Sequence, residues 1–151
     1  MIEYSEDERA LLHLANCVTQ LRALPDQIIK CETATLRQAC IESYLVNYRL
    51  LFEFFDDSVD KKDFGAQTLL TNWTHEFTDD AKKIRDSASK HVVHFSLERL
   101  IPEVVEQEFP LDPVSLKAFN ELLEVPLLQF KNKLLVESPT LGKLLDNNLS
   151  N

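Results

Sequence analysis

The sequence contains very little glycine, since Gly65 and Gly142 are the only two among 151 residues. Tight turns between β-strands usually need glycine or asparagine, because their backbone adopts positive φ angles. Runs of alternating apolar and polar residues are also scarce, whereas the helix formers Leu, Ala, Glu and Lys are common. The composition therefore predicts an all-α fold, and a chain of this length is expected to form one domain.

Cysteine is sparse as well. Cys17, Cys31 and Cys40 are odd in number and include no Cys-x-x-Cys pair, which argues against both a disulfide framework and a zinc finger. They predict reduced, mostly buried thiols in a cytoplasmic protein. The acidic N-terminus lacks the features of a signal peptide. No apolar run is long enough to span a bilayer, so we expect no membrane association.

Positive charge is in the minority, because 16 Lys and Arg face 25 Asp and Glu, for a net charge of -9. This balance disfavours a broad electrostatic contact with nucleic acid or anionic lipid, but it leaves room for a small basic cleft. Glycine-rich phosphate loops and a His-Glu-x-x-His pattern are missing too. Cations near the histidines would repel a metal ion. We therefore expect neither a metal nor a cofactor.

Helical spacing and capping residues predict the first two helices. The first begins at Ser5, where Glu8 completes a capping box, and ends near Pro25. The second covers roughly residues 33–55 and is apolar over most of its circumference, with one stripe that includes Leu36 and Leu50. Such a helix is usually central in a fold or covered by a partner chain.

The connection after the second helix is predicted to be a loop over residues 56–71. A new helix is then expected to start at Thr71-Asn72-Trp73-Thr74, with Trp73 as a packing anchor. His75 and Glu76 follow and are predicted to be exposed.

Two further helices complete the predicted fold. The third runs from about residue 79 to residue 100, and the fourth starts with Asp112 as its cap and Pro113 at its first position. Pro126 should kink or break the fourth helix. Together the four helices predict an up-and-down four-helix-type bundle with a kinked last helix, in one domain over residues 1–140. A polar tail follows at 141–151, and its end, residues 146–151, is expected to fray.

A charged strip follows the second helix. Glu42, Arg49 and Glu53 project within roughly 40° of each other. They form either an internal salt-bridge ladder of modest worth or a site in which Arg49 faces a cleft and binds an anion. The ladder is the favoured interpretation.

Residues 79–99 are locally basic in this acidic chain. Asp79 and Asp80 suit a helix N-terminus. Beyond them only Asp86 and Glu98 oppose five cations, for a local charge near +3: Lys82, Lys83, Arg85, Lys90 and Arg99. If the protein binds a phosphate group or performs chemistry, this segment is where we expect it.

The same segment contains His91 and His94. On a helical wheel His91 falls on the buried stripe and His94 about 80° away from it. A histidine in that position is commonly a hydrogen-bonded core residue. Clustered cations, however, depress the pKa of a histidine and keep the imidazole neutral near pH 7, so that it can act as a base. Both interpretations stay open.

The segment Arg85-Asp86-Ser87-Ala88-Ser89-Lys90-His91 resembles the signature of the HEPN superfamily, in which an Arg with a polar neighbour precedes a His. HEPN proteins are compact all-α bundles. Many are toxins or defence proteins, including members of toxin–antitoxin pairs, that cut RNA without a metal and whose motifs meet across a homodimer. The resemblance implies that His91 is the acid–base group and Arg85 the phosphate clamp, with Asp86 as the polar neighbour.

A second resemblance places the emphasis elsewhere. Val92-Val93-His94-Phe95, ending at Arg99, together with residues 42–55 is similar to an uncharacterised group of bacterial helical proteins. That similarity makes His94 the salient histidine and implies no catalysis.

The leading hypothesis is a HEPN-like, metal-independent endoribonuclease or RNA-binding protein that forms a homodimer. Its candidate catalytic residues are Arg85, His91 and His94, and its candidate phosphate-binding residues are Lys90, Arg99 and Arg49. One alternative is a non-catalytic interaction protein with structural histidines, whose second helix joins a protein partner. Another is a small-ligand-binding bundle with an anion site at Arg49 or Arg99.

Overall fold

A computed structural model describes residues 3–57, 64–90 and 112–150. These parts of the chain contain helices and no strand, and the predicted all-α fold is confirmed. The helices are α1 (Glu6–Lys30), α2 (Ala34–Phe55), α3 (Ala66–Leu69), α4 (Asp79–Ala88), α5 (Pro113–Glu137) and α6 (Pro139–Leu149). Helix α1 packs on α2, α5 and α6, while α2 also packs on α3, α4 and α5, which is compatible with a helical bundle.

Local capping chemistry sets the helix starts. Ser5 forms the predicted capping box, because its Oγ accepts from the Glu8 N–H while the Glu8 carboxylate accepts from the Ser5 N–H. The hydroxyls of Thr33 and Thr78 cap α2 and α4. Asp112 caps α5. Each cap satisfies N–H groups that have no partner inside the helix.

Helix α2 supplies the centre of the core. Tyr44, Tyr48, Phe52 and Phe55 are all fully buried or nearly so. The predicted stripe is displaced from this face, because Leu36 is 56% exposed and Leu50 is 41% exposed. The other described helices therefore cover one broad side of α2, and Leu36 and Leu50 lie outside that side.

The predicted end of the first helix at Pro25 is wrong, because α1 continues through Pro25 to Lys30. Proline has no N–H for the carbonyl four residues earlier, which here is that of Leu21. The side chain of Asn120 on α5 donates to this carbonyl from 3.1 Å. A buried amide from another helix thus replaces the missing hydrogen bond and lets α1 run on.

Of the two outcomes predicted for Pro126, a break is absent, because α5 is continuous through this fully buried residue, and the kink stays a prediction. The expected polar tail contains most of the last helix, α6, whose Leu145 is completely buried. Helix α6 approaches α5 closely at Gly142, where an added Cβ would lie 2.7 Å from the Leu135 Cα.

The helix start predicted at Thr71 is absent. Asn72 has a φ of 59°, a left-handed conformation that suits a turn, and residues 73–78 are irregular. Trp73 is nevertheless the packing anchor that was expected, because its Nε1 donates to the Phe55 carbonyl at 2.9 Å and its ring is buried. The irregular segment then leads directly into the Thr78 cap of α4.

Candidate functional site

A solvent-open cleft lies where the end of α2, residues 75–77 and the first turns of α4 meet. Its volume is about 420 Å³. Helix α4 contributes two cations three residues apart, which places them on one face of the helix. Most of the other lining residues are acidic or aromatic. The lining residues are Phe52, Asp56, Asp57, His75, Glu76, Phe77, Lys82 and Arg85.

Arg85 has the most specific environment in this cleft. Its guanidinium carbon lies 5.3 Å from the centroid of the Phe52 ring, within cation–π range. Its Nε is 3.1 Å from an Asp86 carboxylate oxygen but out of line for a hydrogen bond, so this buried nitrogen has no hydrogen-bond partner among the described residues. The side chain as a whole is 37% exposed. The guanidinium is therefore positioned by an aromatic face while retaining hydrogen-bonding capacity.

His75 brings an imidazole to the same cleft. Its ring lies 6.4 Å from the Trp73 ring and 4.6 Å from the Phe77 ring, centroid to centroid. Its Nδ1 is 3.0 Å from the Gln129 Oε1. Because an amide oxygen only accepts, Nδ1 carries the proton in a neutral ring, and Nε2 is left as an acceptor.

Sequence reasoning assigned no role to His75, which it predicted to be exposed. The structure instead holds the ring half-buried between two aromatic neighbours. A signal was present in the spacing Trp73-x-His75-x-Phe77. Side chains two residues apart share a side in an extended chain, so this spacing could have indicated an aromatic–imidazole row ahead of α4.

The charge of the cleft is divided between its walls. Lys82 and Arg85 stand on α4, whereas Asp56, Asp57 and Glu76 come from the end of α2 and the segment before α4. The described lining residues therefore carry more negative than positive formal charge. Among the described lining residues, both cations are on α4.

The other predicted site residues are placed as follows. Lys90 is exposed at the end of the described part of that segment. Arg49 does not line the cleft. Its Nε lies 2.6 Å from the Glu53 carboxylate one helical turn later, as the salt-bridge interpretation predicts. His91, His94 and Arg99 lie outside the described residues. The Arg85–His91 motif is thus described at its Arg85 end.

Cys17 and His13 form the closest thiol–imidazole pair of the described chain, with Sγ and Nε2 3.8 Å apart. They border an apolar cavity of about 170 Å³ between α1 and α2. Burial raises the pKa of the Cys17 thiol. Since the thiolate is the nucleophile, this environment favours an inert cysteine.

Residues 3–57, 64–90 and 112–150 contain neither a metal-binding cluster nor a helix that could span a membrane. No group of three or more His, Cys, Asp or Glu side chains is arranged to hold a metal ion. None of the helices there combines the length and the apolar character needed to cross a membrane.

Comparison of the chain with models of known protein families, with curated proteins and with solved structures finds no match. The HEPN resemblance therefore depends on the Arg85-to-His91 segment alone, and it remains a prediction.

Proposed function

We propose that this protein binds RNA in the Arg85 cleft and cleaves it without a metal ion, in the manner that the HEPN resemblance implies. The observation that carries the proposal is the state of Arg85. Its guanidinium rests on the Phe52 ring at the wall of an open cleft, and its Nε has no hydrogen bond among the described residues. A planar guanidinium matches the geometry of phosphate oxygens, and a phosphate would compete with the Asp86 carboxylate for Arg85.

The divided charge of the cleft suits a nucleotide better than a simple anion. A phosphate would lie on the α4 wall, where Lys82 and Arg85 donate to its oxygens. Ribose hydroxyls and base amino groups are hydrogen-bond donors, and the carboxylates of Asp57 and Glu76 can accept from them. The half-buried ring of His75 provides apolar surface beside these polar groups, as a stacked base requires.

The chemistry follows from an imidazole and a guanidinium acting together. A neutral imidazole removes the proton from the ribose 2′-hydroxyl, and the resulting oxygen attacks the adjacent phosphorus. The bond to the 5′-oxygen breaks, and this oxygen receives a proton from an acid, so that a 2′,3′-cyclic phosphate and a 5′-hydroxyl are formed. Arg85 stabilises the charge on the phosphoryl oxygens. His91 is the base that the resemblance implies, and His75 is a second imidazole at the cleft.

Dimerisation is part of this proposal. The cleft of one subunit carries only two cations among the described residues. A second subunit whose motif meets the first would add its own cations to one groove, and so would raise the positive potential despite the acidic total.

Incubation of the purified protein with mixed single-stranded RNA in EDTA tests the proposal. The wild type should produce fragments ending in a cyclic phosphate between mildly acidic and neutral pH. Arg85→Ala and His91→Ala should each abolish the products, because one removes the phosphate clamp and the other the base. His75→Ala and His94→Ala separate the contributions of the other two imidazoles.

The control and the contrary result are equally specific. Lys83 lies next to Lys82 on α4, is highly exposed and does not line the cleft, so Lys83→Ala should leave cleavage unchanged. Absence of cleavage at every pH would refute the nuclease activity. Absence of RNA binding as well would favour the non-catalytic interaction protein.

A further inference from the structure

The junction between α1 and α2 brings two cysteines together. Cys31 is the first residue after α1, and Cys40 lies in the second turn of α2. Their sulfur atoms are 3.6 Å apart, and both residues are only partly buried. Sequence spacing did not indicate this pair, because the two residues meet only once the chain reverses at residues 31–33.

The separation of the two sulfurs is close to that of a disulfide precursor. A disulfide bond measures about 2.05 Å, so the atoms must approach by roughly 1.5 Å. Cys31 has an extended backbone outside the regular part of α1, and its thiol donates to the Gln27 carbonyl at 3.4 Å. Because Cys31 lies outside the regular helix, we expect its side chain to move far enough for the two sulfurs to reach bonding distance.

Cys17 provides a contrast within the same chain. It is 3% exposed inside the core, and its Sγ faces His13 rather than another thiol. Burial raises its pKa. Reactivity toward an oxidant requires both access and a thiolate, so Cys17 should remain reduced under conditions that oxidise the other two.

We propose that Cys31 and Cys40 are an oxidisable pair that forms a reversible disulfide with a small-molecule disulfide, such as glutathione disulfide, as the oxidant. One cysteine thiolate attacks the oxidant, forming a mixed disulfide and releasing one thiolate. The second cysteine thiolate attacks the protein sulfur of that mixed disulfide and displaces the second glutathione thiolate. Two protein thiols are oxidised and one small disulfide is reduced to two thiols, because the two protons lost by the protein are taken up by the two glutathione thiolates.

The bond would tie the end of α1 to the second turn of α2. It closes a loop of about ten residues, and this restricts the unfolded chain more than the folded one. The oxidised protein should therefore melt about 5–10 °C higher than the reduced protein. The hydrogen bond with Cys31 holds the pKa of Cys40 above its ordinary value, so the reaction should accelerate as the pH is raised toward 9.

The test uses the full-length chain, reduced, desalted and exposed to glutathione disulfide at mildly alkaline pH. Free thiols should fall from three to one, with loss of two hydrogens and no added glutathione. Trypsin cleaves after Lys30, Arg37 and Arg49, so the two cysteines fall in separate peptides, residues 31–37 and 38–49. These peptides should be recovered joined to each other, and reduction should separate them.

Matched variants complete the experiment. Cys31→Ser and Cys40→Ser should each stop at a glutathione adduct on the remaining partner, whereas Cys17→Ala should oxidise like the wild type. Persistent glutathione adducts on the wild type, three unreacted thiols, or disulfides formed only between two chains would each overturn the proposal. RNA cleavage has no part in these measurements, so their outcome is independent of the proposed function.

Discussion

Replacement of Tyr44 by Phe tests the hydrogen-bond network that joins α1, α2 and α5. The Tyr44 hydroxyl is completely buried and lies 2.9 Å from the Leu116 carbonyl and 2.8 Å from the Asn120 Oδ1. Asn120 in turn donates to the Leu21 carbonyl that Pro25 leaves without a helical partner. The tyrosine therefore fixes the amide that supports the continuation of α1.

The expected loss of stability depends on which buried polar groups lose a hydrogen-bond partner when the Tyr44 hydroxyl is removed. The Leu116 carbonyl also belongs to the hydrogen-bond ladder of α5, whereas the Asn120 Oδ1 is left buried without this donor. A buried polar group deprived of its partner costs about 1–3 kcal/mol. For a chain of this size, a loss near 2 kcal/mol lowers the melting temperature by about 4–8 °C.

Tyr48 provides a matched control one turn further along α2. It is also completely buried, but its hydroxyl has no hydrogen-bond partner among the described residues. Tyr48→Phe removes an unsatisfied polar atom and should leave the free energy of unfolding unchanged or raise it. Urea unfolding followed by circular dichroism measures both variants, with equal slopes expected. Equal midpoints for the two variants, or a lower midpoint for Tyr48→Phe, would refute the reasoning.

The remaining predictions concern alkaline pH, two glycines and one proline. Burial raises the pKa of the two core tyrosines of α2, Tyr44 and Tyr48. The free energy of unfolding should therefore be unaffected below pH about 10, the pKa of an unfolded tyrosine, and should fall above it. Near-ultraviolet absorbance should show two of the three tyrosines ionising only as the helices unfold. Gly142→Ala should cost about 1–3 kcal/mol in urea unfolding by forcing α6 off α5, whereas Gly65→Ala meets only a flexible glutamine side chain and should cost less; the reverse order would contradict this. Pro25→Ala restores an N–H that can donate to the Leu21 carbonyl. Asn120→Ala should therefore lower the free energy of unfolding by about 1 kcal/mol less in the Pro25→Ala protein than in the wild type. Equal losses in the two proteins would exclude this coupling.

Local chemistry explains what the sequence predicted correctly about the fold. The Ser5–Glu8 capping box and the Asp112-Pro113 helix start depend on residues within a few positions of each other, and both are present. Likewise, few glycines and abundant helix formers were sufficient to predict the all-α class. Interactions of this range can be read from one segment at a time.

Long-range contacts explain the errors. Pro25 was expected to end α1, but its effect is compensated by Asn120, a residue on another helix that no local pattern connects to it. The end of the chain was expected to be a polar tail, yet Leu145 finds a buried site because Gly142 lets α6 approach α5. Both outcomes depend on packing between elements far apart in the sequence.

In the candidate site, too, the local sequence indicated one residue, whereas the residues around it come from other parts of the chain. The basic segment singled out Arg85, and the structure places this residue with Lys82 in a cleft. It could not indicate that Phe52 would support the guanidinium, or that Asp57 and Glu76 would face it, because these residues come from other elements. His75 was missed because the position of an imidazole in an irregular segment depends on its neighbours, which here are two aromatic rings and Gln129 on α5.

RNA affinity in two charge-reversed variants tests the central claim most directly. Lys82 and Lys83 are neighbours on α4 and change the net charge equally, but only Lys82 lines the cleft. Fluorescence anisotropy of a labelled single-stranded RNA at fixed salt should show Lys82→Glu binding about tenfold more weakly than the wild type, with Lys83→Glu within about twofold of it. Equal weakening by both variants, or no binding by the wild type, would contradict a phosphate site in this cleft.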